Sequence, residues 1–284
     1  MTDQAALRRM RLLEELLGDG SAREIDDLAG RLGVDDRTIR RDVAALQELL
    51  AGVQGIALRR GRVHAAREGY APGYFTDQLA HQRAEKEAIA DAVVRSLGEN
   101  LAIALTAGST TYLVAREIRR ATLAEQRPHN LIAFTNSLPA LLELAAAGIS
   151  TGAIGEVYNA DDCAFHSHEF RSAFQASVAI VGASGVVPNP SAGAIDLFSH
   201  RAEEASFLKQ LLAPIPEILI AVDATKVGRR HPWSFTSAGV LAGKSVCLFT
   251  SRLDDAHRDL LERLVASAHR SGLQFAYQET GPAA

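Results

Sequence analysis

An arginine-rich segment near the amino end has the residue spacing of a helix with two chemically different faces. Within residues 35–46, the apolar residues Ile39, Val43 and Leu46 recur at intervals of four and three, so they share one side of a helix. The opposite side and its flanks carry Arg37, Thr38, Arg40 and Arg41. Such a helix can pack on its own domain through the apolar side and offer donors to DNA phosphates and base edges through the other.

The residues before this segment predict a helix-turn-helix. An earlier helical stripe consists of Ile25, Leu28, Ala29 and Leu32, and a first amphipathic helix is predicted from Leu7, Met10, Leu13, Leu16 and Leu17. Gly33 provides a tight break before the arginine segment, and Asp35 or Asp36 can cap the helix that follows. The alternative is a plain three-helix bundle with a solvated arginine face.

A basic, glycine-punctuated stretch follows these helices. Residues 51–67 contain no acidic side chain, and their short apolar runs predict a two-stranded hairpin, the wing of a winged helix-turn-helix. The hairpin arginines expected to reach the DNA backbone are Arg59, Arg60 and Arg62. An exposed basic loop without a partner is the alternative. Residues 1–70 hold twelve arginines and twelve acidic residues, so DNA binding must depend on where the arginines lie.

The remainder of the chain alternates between short apolar runs and helical patterns, which is typical of a mostly parallel sheet with helices on both faces. Strands are predicted at 101–105, 131–134, 153–157, 178–181, 218–222 and 246–249. Helices are predicted at 76–97, 110–120, 138–147, 203–212 and 255–270. In such folds ligands bind beyond the carboxyl ends of the strands, so the residues there carry the most information.

Polar turns stand at three of these strand ends. Gly108, Ser109, Thr110 and Thr111 open a helix, where glycine allows close approach and the helix start favours an anion such as phosphate. Thr135, Asn136 and Ser137 form a second turn, and Asp223 with Lys226 a third, in which the carboxylate could accept sugar hydroxyls and the lysine could pair with phosphate. Each turn alone could also be an ordinary helix cap or a surface ion pair.

Composition limits the remaining possibilities. The chain of 284 residues is 47% hydrophobic and carries a formal charge of −4, which fits a small and a larger globular domain. The sequence lacks an apolar stretch of about 18 residues and a signal-peptide pattern, so no membrane partner is expected and a cytoplasmic location is predicted. Cys163 and Cys247 form no zinc or redox motif, and the nearby pair His166 and His168 has no further ligands. No metal or cofactor is therefore predicted.

These motifs together resemble the DeoR family of bacterial transcription regulators. The family's helix signature corresponds to Thr38–Asp42. Its sensor domain has four further motifs, which correspond here to Arg83, Lys86, Ile89 and Ala90; to Gly108–Thr111; to Thr135–Ser137; and to Asp223 with Lys226. The sequence departs from the family at Gly155-Glu156, where a double glycine is usual. The resemblance implies a winged helix-turn-helix followed by a sugar-phosphate-binding domain similar in fold to ribose-5-phosphate isomerase.

The sequence therefore predicts an α/β chain with three parts. Residues 1–67 are expected to form the winged helix-turn-helix, 68–80 a linker and 81–284 the sensor domain. The expected function is that of a regulator, a repressor of sugar-metabolism genes, with an operator duplex, a phosphorylated sugar and further copies of the chain, as dimer or tetramer, as partners. The competing hypothesis is a sugar-phosphate isomerase with an appended domain, in which Asp223 or Glu204 would be the base.

Overall fold

The computed structural model of the protein consists of two compact units, Met1–Gly73 and Tyr74–Ala284. The structure describes residues 8–9, 11–12, 15, 23–49, 56–59, 62–65, 74–126, 128–159, 162–167, 174–236 and 238–281. Among these residues, no helix is both long enough and apolar enough to span a lipid bilayer.

The first unit has the winged helix-turn-helix order expected from its sequence. Helices α1 (Ile25–Leu32) and α2 (Asp36–Leu49) are separated by a turn at Gly33, whose φ of 66° lies in the left-handed region that suits glycine. Strands β1 (Arg23–Glu24), β2 (Ile56–Arg59) and β3 (Arg62–Ala65) pair antiparallel in the order β1-β3-β2. The predicted hairpin is therefore present, with Arg59 opposite Arg62.

Apolar side chains from three helical segments form the core of this unit. The predicted stripes of α1 and α2, apart from the partly buried Leu32, are buried together with Leu12, which belongs to the helical residues described between 8 and 15. The buried cluster comprises Leu12, Ile25, Leu28, Ala29, Ile39, Val43 and Leu46. The five residues used to predict the first helix lie outside the described residues. The arginine-bearing side of α2 is thus directed away from the core by the burial of its apolar side.

The second unit alternates helices and strands. Its helices are α3 (Tyr74–Ala80), α4 (Arg83–Ser96), α5 (Ser109–Leu123), α6 (Leu138–Ala146), α7 (Ala202–Leu212), α8 (Ala238–Leu241) and α9 (Asp255–Ala268). Its strands are β4 (Ala102–Leu105), β5 (Ile132–Thr135), β6 (Ser150–Ala153), β7 (Val157–Asn159), β8 (Ala164–His166), β9 (Val178–Val181), β10 (Gly185–Asn189), β11 (Ala194–Ser199), β12 (Glu217–Ala221), β13 (Trp233–Ser234), β14 (Ser245–Ser251) and β15 (Gln274–Thr280).

Seven strands form a parallel sheet in the order β15-β14-β12-β9-β4-β5-β6. Successive strands run outward from β4 in one direction through β5 and β6, and in the other through β9, β12, β14 and β15. The order therefore reverses between β4 and β9, and in doubly wound sheets this crevice is where ligands bind. The predicted parallel sheet is confirmed.

Side chains alternate between the two faces of the sheet, and each face is covered. Ile103 and Leu105 join a buried cluster with α4, α5 and α6, whereas Ala104 between them joins a second cluster with α7 and α9. β12 divides in the same way, since Ile218 and Ile220 share the second cluster and Leu219 the first. Burial on both faces explains why these strands read as continuous apolar runs.

Several element predictions were wrong in their bounds. The long helix expected at 76–97 is two helices, because Gln82 adopts a left-handed φ of 52° between them. Residues 74–80, expected to be linker, form α3 of the second unit. The strand expected at 153–157 instead ends at Ala153, and Gly155 (φ 108°) separates β6 from β7.

A hairpin and the last strand of the sheet were not predicted. The proline-rich segment that reads as a loop is β10, which pairs antiparallel with β11 at the edge of a small sheet ordered β10-β11-β13. Pro188 is tolerated there because an edge strand does not need every backbone N–H. β15, at the end of the described chain, completes the parallel sheet beside β14.

Candidate functional site

The candidate DNA-facing surface is the polar side of α2. Arg37, Arg40 and Arg41 are exposed and Thr38 is partly exposed, whereas Ile39 between them is fully buried. Asp35 caps the helix, since its Oδ1 accepts the backbone N–H of Thr38 at 2.7 Å. Hydrogen bonds from the Thr38 side chain and from its backbone N–H lower the pKa of the Asp35 carboxyl and keep it charged beside the positive end of the helix. The four residues predicted to contact DNA on α2 thus share its solvent side.

Asp42, which ends the arginine signature, has a structural role. Its side chain is buried and bonds Arg9 Nε at 3.1 Å and Arg8 Nε. Burial alone would raise the pKa of this carboxyl, but the bonds from the two arginines outweigh burial and lower it. Asp42 therefore ties the second helix of the motif to the helical segment around residues 8–15.

The hairpin arginines are only partly within the described residues. Arg59 and Arg62 are paired across β2 and β3, at the turn end of the hairpin. Arg60 lies outside the described residues. The structure therefore gives the backbone position of two of the three arginines predicted for the wing.

The candidate ligand site of the second unit is a cleft of about 720 Å³, including space open to solvent. It lies where the strand order reverses, since the turns after β4 and β9 both line it. The turn after β12 lines it as well. Of the predicted effector-binding residues, five line the cleft: Gly108, Ser109, Thr110, Asp223 and Lys226. Side chains that sequence reasoning did not assign to the site include Phe75, Gln78, Asp162, Ser184, Phe198, His200 and Phe235.

One wall of the cleft is the start of α5. Gly108 precedes the helix with φ 149° and ψ 160°, and no side chain caps the helix at this position. The first backbone N–H groups of a helix have no partner within it, so α5 presents donors to an anion in the cleft. A Cβ on Gly108 would come within 3.1 Å of Thr111 Oγ1, so both the backbone conformation and the space favour glycine here.

Two lysines and one carboxylate stand beside this helix start. Lys86 is 1% exposed, and its Nζ lies 3.1 Å from Ser109 Oγ and 3.8 Å from Asp223 Oδ2. Lys226 Nζ donates to Gln78 Oε1 at 3.0 Å. Burial lowers the pKa of both ammonium groups, because removing a cation from water favours its neutral form. An anionic ligand would reverse that effect, so the arrangement is suited to binding negative charge.

Asp223 is buried between these groups. Its Oδ1 accepts the backbone N–H of Thr225 at 3.1 Å as well as the Thr225 hydroxyl. Its Oδ2 has no hydrogen-bond partner within the described part of the chain, and Asp223 as a whole is 1% exposed. Since an unpaired buried acceptor is costly, Oδ2 is a ready acceptor for a ligand hydroxyl.

The turn after β5 supports the cleft from behind. Thr135, Asn136 and Ser137 are buried and do not line the cleft. Asn136 Oδ1 accepts the Ala107 N–H at 2.7 Å, and Ser137 caps α6 by accepting the N–H of Ala140. Thr111 is likewise buried, and its hydroxyl donates to the carbonyl of Gly108. Asn136 and Thr111 therefore hold the turn that carries Gly108, whereas Thr135, whose Oγ1 accepts the N–H of Ser137, and Ser137 stabilise the turn after β5.

A second polar group lines the cleft on the side of β9, β11 and α7. Ser184 Oγ and His200 Nδ1 lie 3.0 Å apart, and the Ser199 hydroxyl donates to Glu204 Oε2. Burial lowers the pKa of His200 and raises that of Glu204, so both side chains favour their neutral forms. The cleft is thus lined both by two lysines and by a second set of side chains, Ser184, His200 and Glu204, in which burial favours the uncharged forms of His200 and Glu204.

Two family models match this chain. The model of an HTH domain matches residues 8–70, and that of the DeoR C terminal sensor domain matches residues 81–242, more than half of the chain. The chain belongs to the DeoR family. The two lysines, the start of α5 and the lining residues of the cleft other than Phe75 and Gln78 lie within the region matched by the sensor domain.

Relatives of this DeoR-family chain include two described as HTH-type regulators. The transcriptional repressor CsqR of Escherichia coli strain K12 is 27% identical over 255 residues, 85% of this chain and 86% of that protein. The transcriptional regulator GlpR of Haloferax volcanii is 32% identical over 112 residues, 39% of this chain and 42% of that protein. Among solved structures, the ribose 5-phosphate isomerase of Methanocaldococcus jannaschii matches 50% of this chain and 53% of its own, with a TM-score of 0.37 and 18% identity.

Glu156 and His166, two further residues of the sequence analysis, are not among the residues that line the cleft of this DeoR-family protein. Glu156, which replaces the second glycine usual in the family, is exposed and is not among the lining residues. His166 is partly buried and lies 3.8 Å from Asp162 Oδ2, and His168 lies outside the described residues. Within the described ranges, no three His, Cys, Asp or Glu side chains are grouped as a metal site.

Proposed function

We propose that this protein is a transcription repressor whose DNA binding is controlled by a phosphorylated sugar. In the proposal, the arginine side of α2 enters the major groove, and the hairpin arginines contact the backbone beside it. The protein acts as a homo-oligomer in the cytoplasm, so that two copies of α2 read two half-sites. The HTH and sensor matches and the description of CsqR as a repressor support this reading.

The cleft chemistry carries the ligand part of the proposal. A helix start without a side-chain cap and two lysines whose pKa is lowered by burial surround one region, which suits a phosphate group. Asp223 Oδ2 offers an unpartnered acceptor beside them, which suits a sugar hydroxyl. A ligand with both groups satisfies the cations and the acceptor together.

Control of DNA binding requires a difference in affinity. The ligand must bind the DNA-competent arrangement of the oligomer more weakly than another arrangement, because a ligand that binds both equally shifts nothing. A coupling of about 1–3 kcal/mol is usual for such systems, which changes the operator affinity about 5–150-fold.

An isomerase remains the competing function, because Glu204 is a carboxyl group with a raised pKa beside the cleft. The two functions make opposite predictions for pentose phosphates. The proposal expects binding without turnover, whereas saturable conversion by the purified chain, lost in Glu204→Gln, would favour the enzyme.

The direct test begins with selection of duplex DNA from a random-sequence pool by the purified full chain. Binding of the selected duplex is then followed by fluorescence anisotropy at fixed salt, with phosphorylated sugars and their unphosphorylated forms added in parallel. The expected result is release by at least one phosphorylated sugar and by none of the unphosphorylated forms. Failure to select any sequence would contradict the DNA-binding part, and release that needs no phosphate would contradict the ligand part.

A further inference from the structure

We infer that the effector has one anionic end only, and that Ser184, His200 and Glu204 bind uncharged hydroxyl groups at its other end. This inference rests on the proposed function and narrows its ligand class to sugar monophosphates. Of the two cations whose surroundings suit phosphate, Lys86 bonds Ser109 at the start of α5, and Lys226 is connected to Lys86 through their shared partner Gln78. The remaining polar lining comes from the turns after β9 and β11 and from α7.

The geometry of this second group fits hydroxyls. Ser184 and His200 form one hydrogen-bonded pair and Ser199 and Glu204 another, so each pair offers donors and acceptors that can rearrange around a hydroxyl. Arg201, next to His200 in sequence, has its guanidinium 2.9 Å from Asp162 Oδ2. A second phosphate or a carboxylate at this side would face carboxyl groups at Glu204 and Asp162, at a cost that an uncharged hydroxyl does not incur.

The inference is tested by thermal unfolding and calorimetric titration of the full chain with matched probes. These are glucose 6-phosphate and fructose 6-phosphate against 6-phosphogluconate and fructose 1,6-bisphosphate, with inorganic phosphate as reference. We expect at least one monophosphate to bind at least tenfold more tightly than either doubly anionic probe, and Glu204→Ala to reduce that preference. Lys226→Ala should weaken the binding of all five probes.

The possible results distinguish failure of this inference from failure of the proposed function. Equal or tighter binding of the doubly anionic probes would overturn the inference while leaving a phosphate site intact. Binding of inorganic phosphate as tight as that of every sugar phosphate, unchanged in Glu204→Ala, would do the same. No binding of any phosphorylated probe would contradict the proposed function itself.

A second inference comes from a different contact: helix α3 occupies donors that the ligand needs. Gln78 accepts hydrogen bonds from both cleft lysines, through its backbone carbonyl from Lys86 and through Oε1 from Lys226 at 3.0 Å. Phe75 of the same helix lines the cleft and packs edge-on against Tyr112, with ring centroids 5.7 Å apart. α3 is thus held at the cleft by one glutamine and one aromatic ring.

Lys86 donates hydrogen bonds to two oxygens in this arrangement. An ammonium group has three N–H donors, and here one is directed to the Gln78 carbonyl and one to Ser109 Oγ, whereas Asp223 Oδ2, at 3.8 Å, is an ion-pair partner beyond hydrogen-bond distance. A phosphate group that accepts more than one hydrogen bond from Lys86 must therefore displace one of these two oxygens. Phosphate brings a negative charge to the two ammonium groups, which the neutral oxygens of Gln78 do not, so the Gln78 contacts are the ones that phosphate replaces at both lysines.

The geometry points to Gln78 as the contact through which cleft occupancy reaches the DNA-binding unit. α3 begins at Tyr74, directly after Gly73, where the first unit ends. Loss of both Gln78 contacts loosens the hold of the cleft on the first helix after the boundary. Because α3 is covalently connected to the first unit, its release alters the restraint on that unit. The held and released states of α3 are then the two states that ligand control requires.

Hydrogen exchange of the full chain tests this second inference, with glucose 6-phosphate and inorganic phosphate as probes. We expect the probe that binds to protect residues 109–112 at the start of α5 and to increase exchange in residues 74–80. Protection at 109–112 without any change at 74–80 would overturn the inference and leave the ligand site standing. No change at either segment with any phosphorylated sugar would instead contradict the proposed function.

The variant Gln78→Leu supplies a second readout. It removes the contact with Lys226 that the ligand must break, so we expect tighter binding of the phosphorylated probe and at least a threefold smaller effect of that probe on DNA binding. Gln210→Ala is the matched control, because Gln210 is an exposed glutamine of α7 that bonds Ser206. Unchanged probe affinity and unchanged probe effect in Gln78→Leu would contradict the role of Gln78.

Discussion

Neighbouring residues of the α2 signature divide between the solvent-exposed side of the helix and the interior of the unit. Arg40 and Arg41 are exposed, whereas Asp42, next in sequence, is buried against Arg8 and Arg9. Helical geometry explains the division, because each residue turns the side chain by about 100° and one step moves it from the solvent side to the core side. A signature read only as a DNA-contacting motif therefore includes a residue that positions the helix.

Replacing Arg41 should weaken DNA binding without affecting the ligand cleft. In Arg41→Ala we expect a loss of about 1–3 kcal/mol in binding free energy for the selected duplex, because one charged donor to the groove is removed. Arg95→Ala is the matched control, since Arg95 is an exposed arginine of α4 in the other unit, paired with Asp91. Anisotropy titration at several salt concentrations measures both variants. Equal affinity of Arg41→Ala and the unmodified chain at every salt concentration would contradict the assignment of α2.

Replacing Glu204 by its neutral isostere should stabilise the protein in a pH-dependent manner. Burial raises the pKa of Glu204 above its ordinary value of 4.5, so ionising it costs folding free energy as the pH rises through that range, and the full cost persists above the raised pKa. We expect Glu204→Gln to be more stable near neutral pH, by about 1 kcal/mol or more, with the difference vanishing below pH 4.5. Urea unfolding at both pH values measures this. A variant that is less stable by the same amount at both would indicate that the carboxyl makes bonds an amide cannot.

At the scale of elements, the turn between β4 and α5 depends on its glycine. Gly108→Ala would put a Cβ into a conformation with φ 149° and within 3.1 Å of Thr111 Oγ1. We expect a loss of stability larger than about 1 kcal/mol and a strong reduction in phosphate binding, because the turn can no longer hold the start of α5 open to the cleft. Gly98→Ala is the control, since the nearest atom to its added Cβ is Leu101 Cδ1 at 3.8 Å. Thermal unfolding with and without glucose 6-phosphate compares the two variants, and equal ligand shifts in both would count against the role of this turn.

Elements whose signal is local could be predicted from the sequence. Apolar runs gave the central strands, and the helical spacing of Ile39 and Val43 gave α2. The break at Gln82 could not be predicted, because a left-handed glutamine has no strong local signal and depends on tertiary packing, here of α3 and α4 against α5. β10 was missed for a related reason, since Pro188 reads as a loop and only its edge position makes it compatible with a strand.

The cleft residues likewise divide into those with a local sequence signal and those without one. Gly108, Asp223 and Lys226 could be found because each follows a strand that local pattern predicts. Gln78 could not, because it comes from a helix 148 residues away from Lys226 along the chain. Ser184, next to a glycine turn, carried a weak signal, and His200 carried none, since only the pairing of β11 with β10 brings the two together.

At the scale of the whole molecule, the two units and their ligands must be linked reciprocally. If a phosphorylated sugar lowers the affinity for the selected duplex by some factor, the duplex must lower the affinity for that sugar by the same factor, because both describe one coupling free energy. We expect a factor of about 5–150 in each direction. Titration of the sugar into the free protein and into the protein–DNA complex gives one factor, and titration of DNA with and without saturating sugar gives the other.

The comparison of the two factors distinguishes control by the cleft from a simple contest for the same surface. Equal finite factors require that protein, DNA and sugar form a ternary complex, as expected when the cleft lies in the second unit and the arginines in the first. A sugar effect that grows without limit as its concentration rises would mean that sugar and DNA exclude each other. Gln78→Leu should reduce both factors together if α3 carries the coupling. Because the two factors describe one coupling free energy, they must remain equal as long as the oligomeric state is constant. A change in one factor alone would therefore reveal a change in oligomeric state between the two titrations.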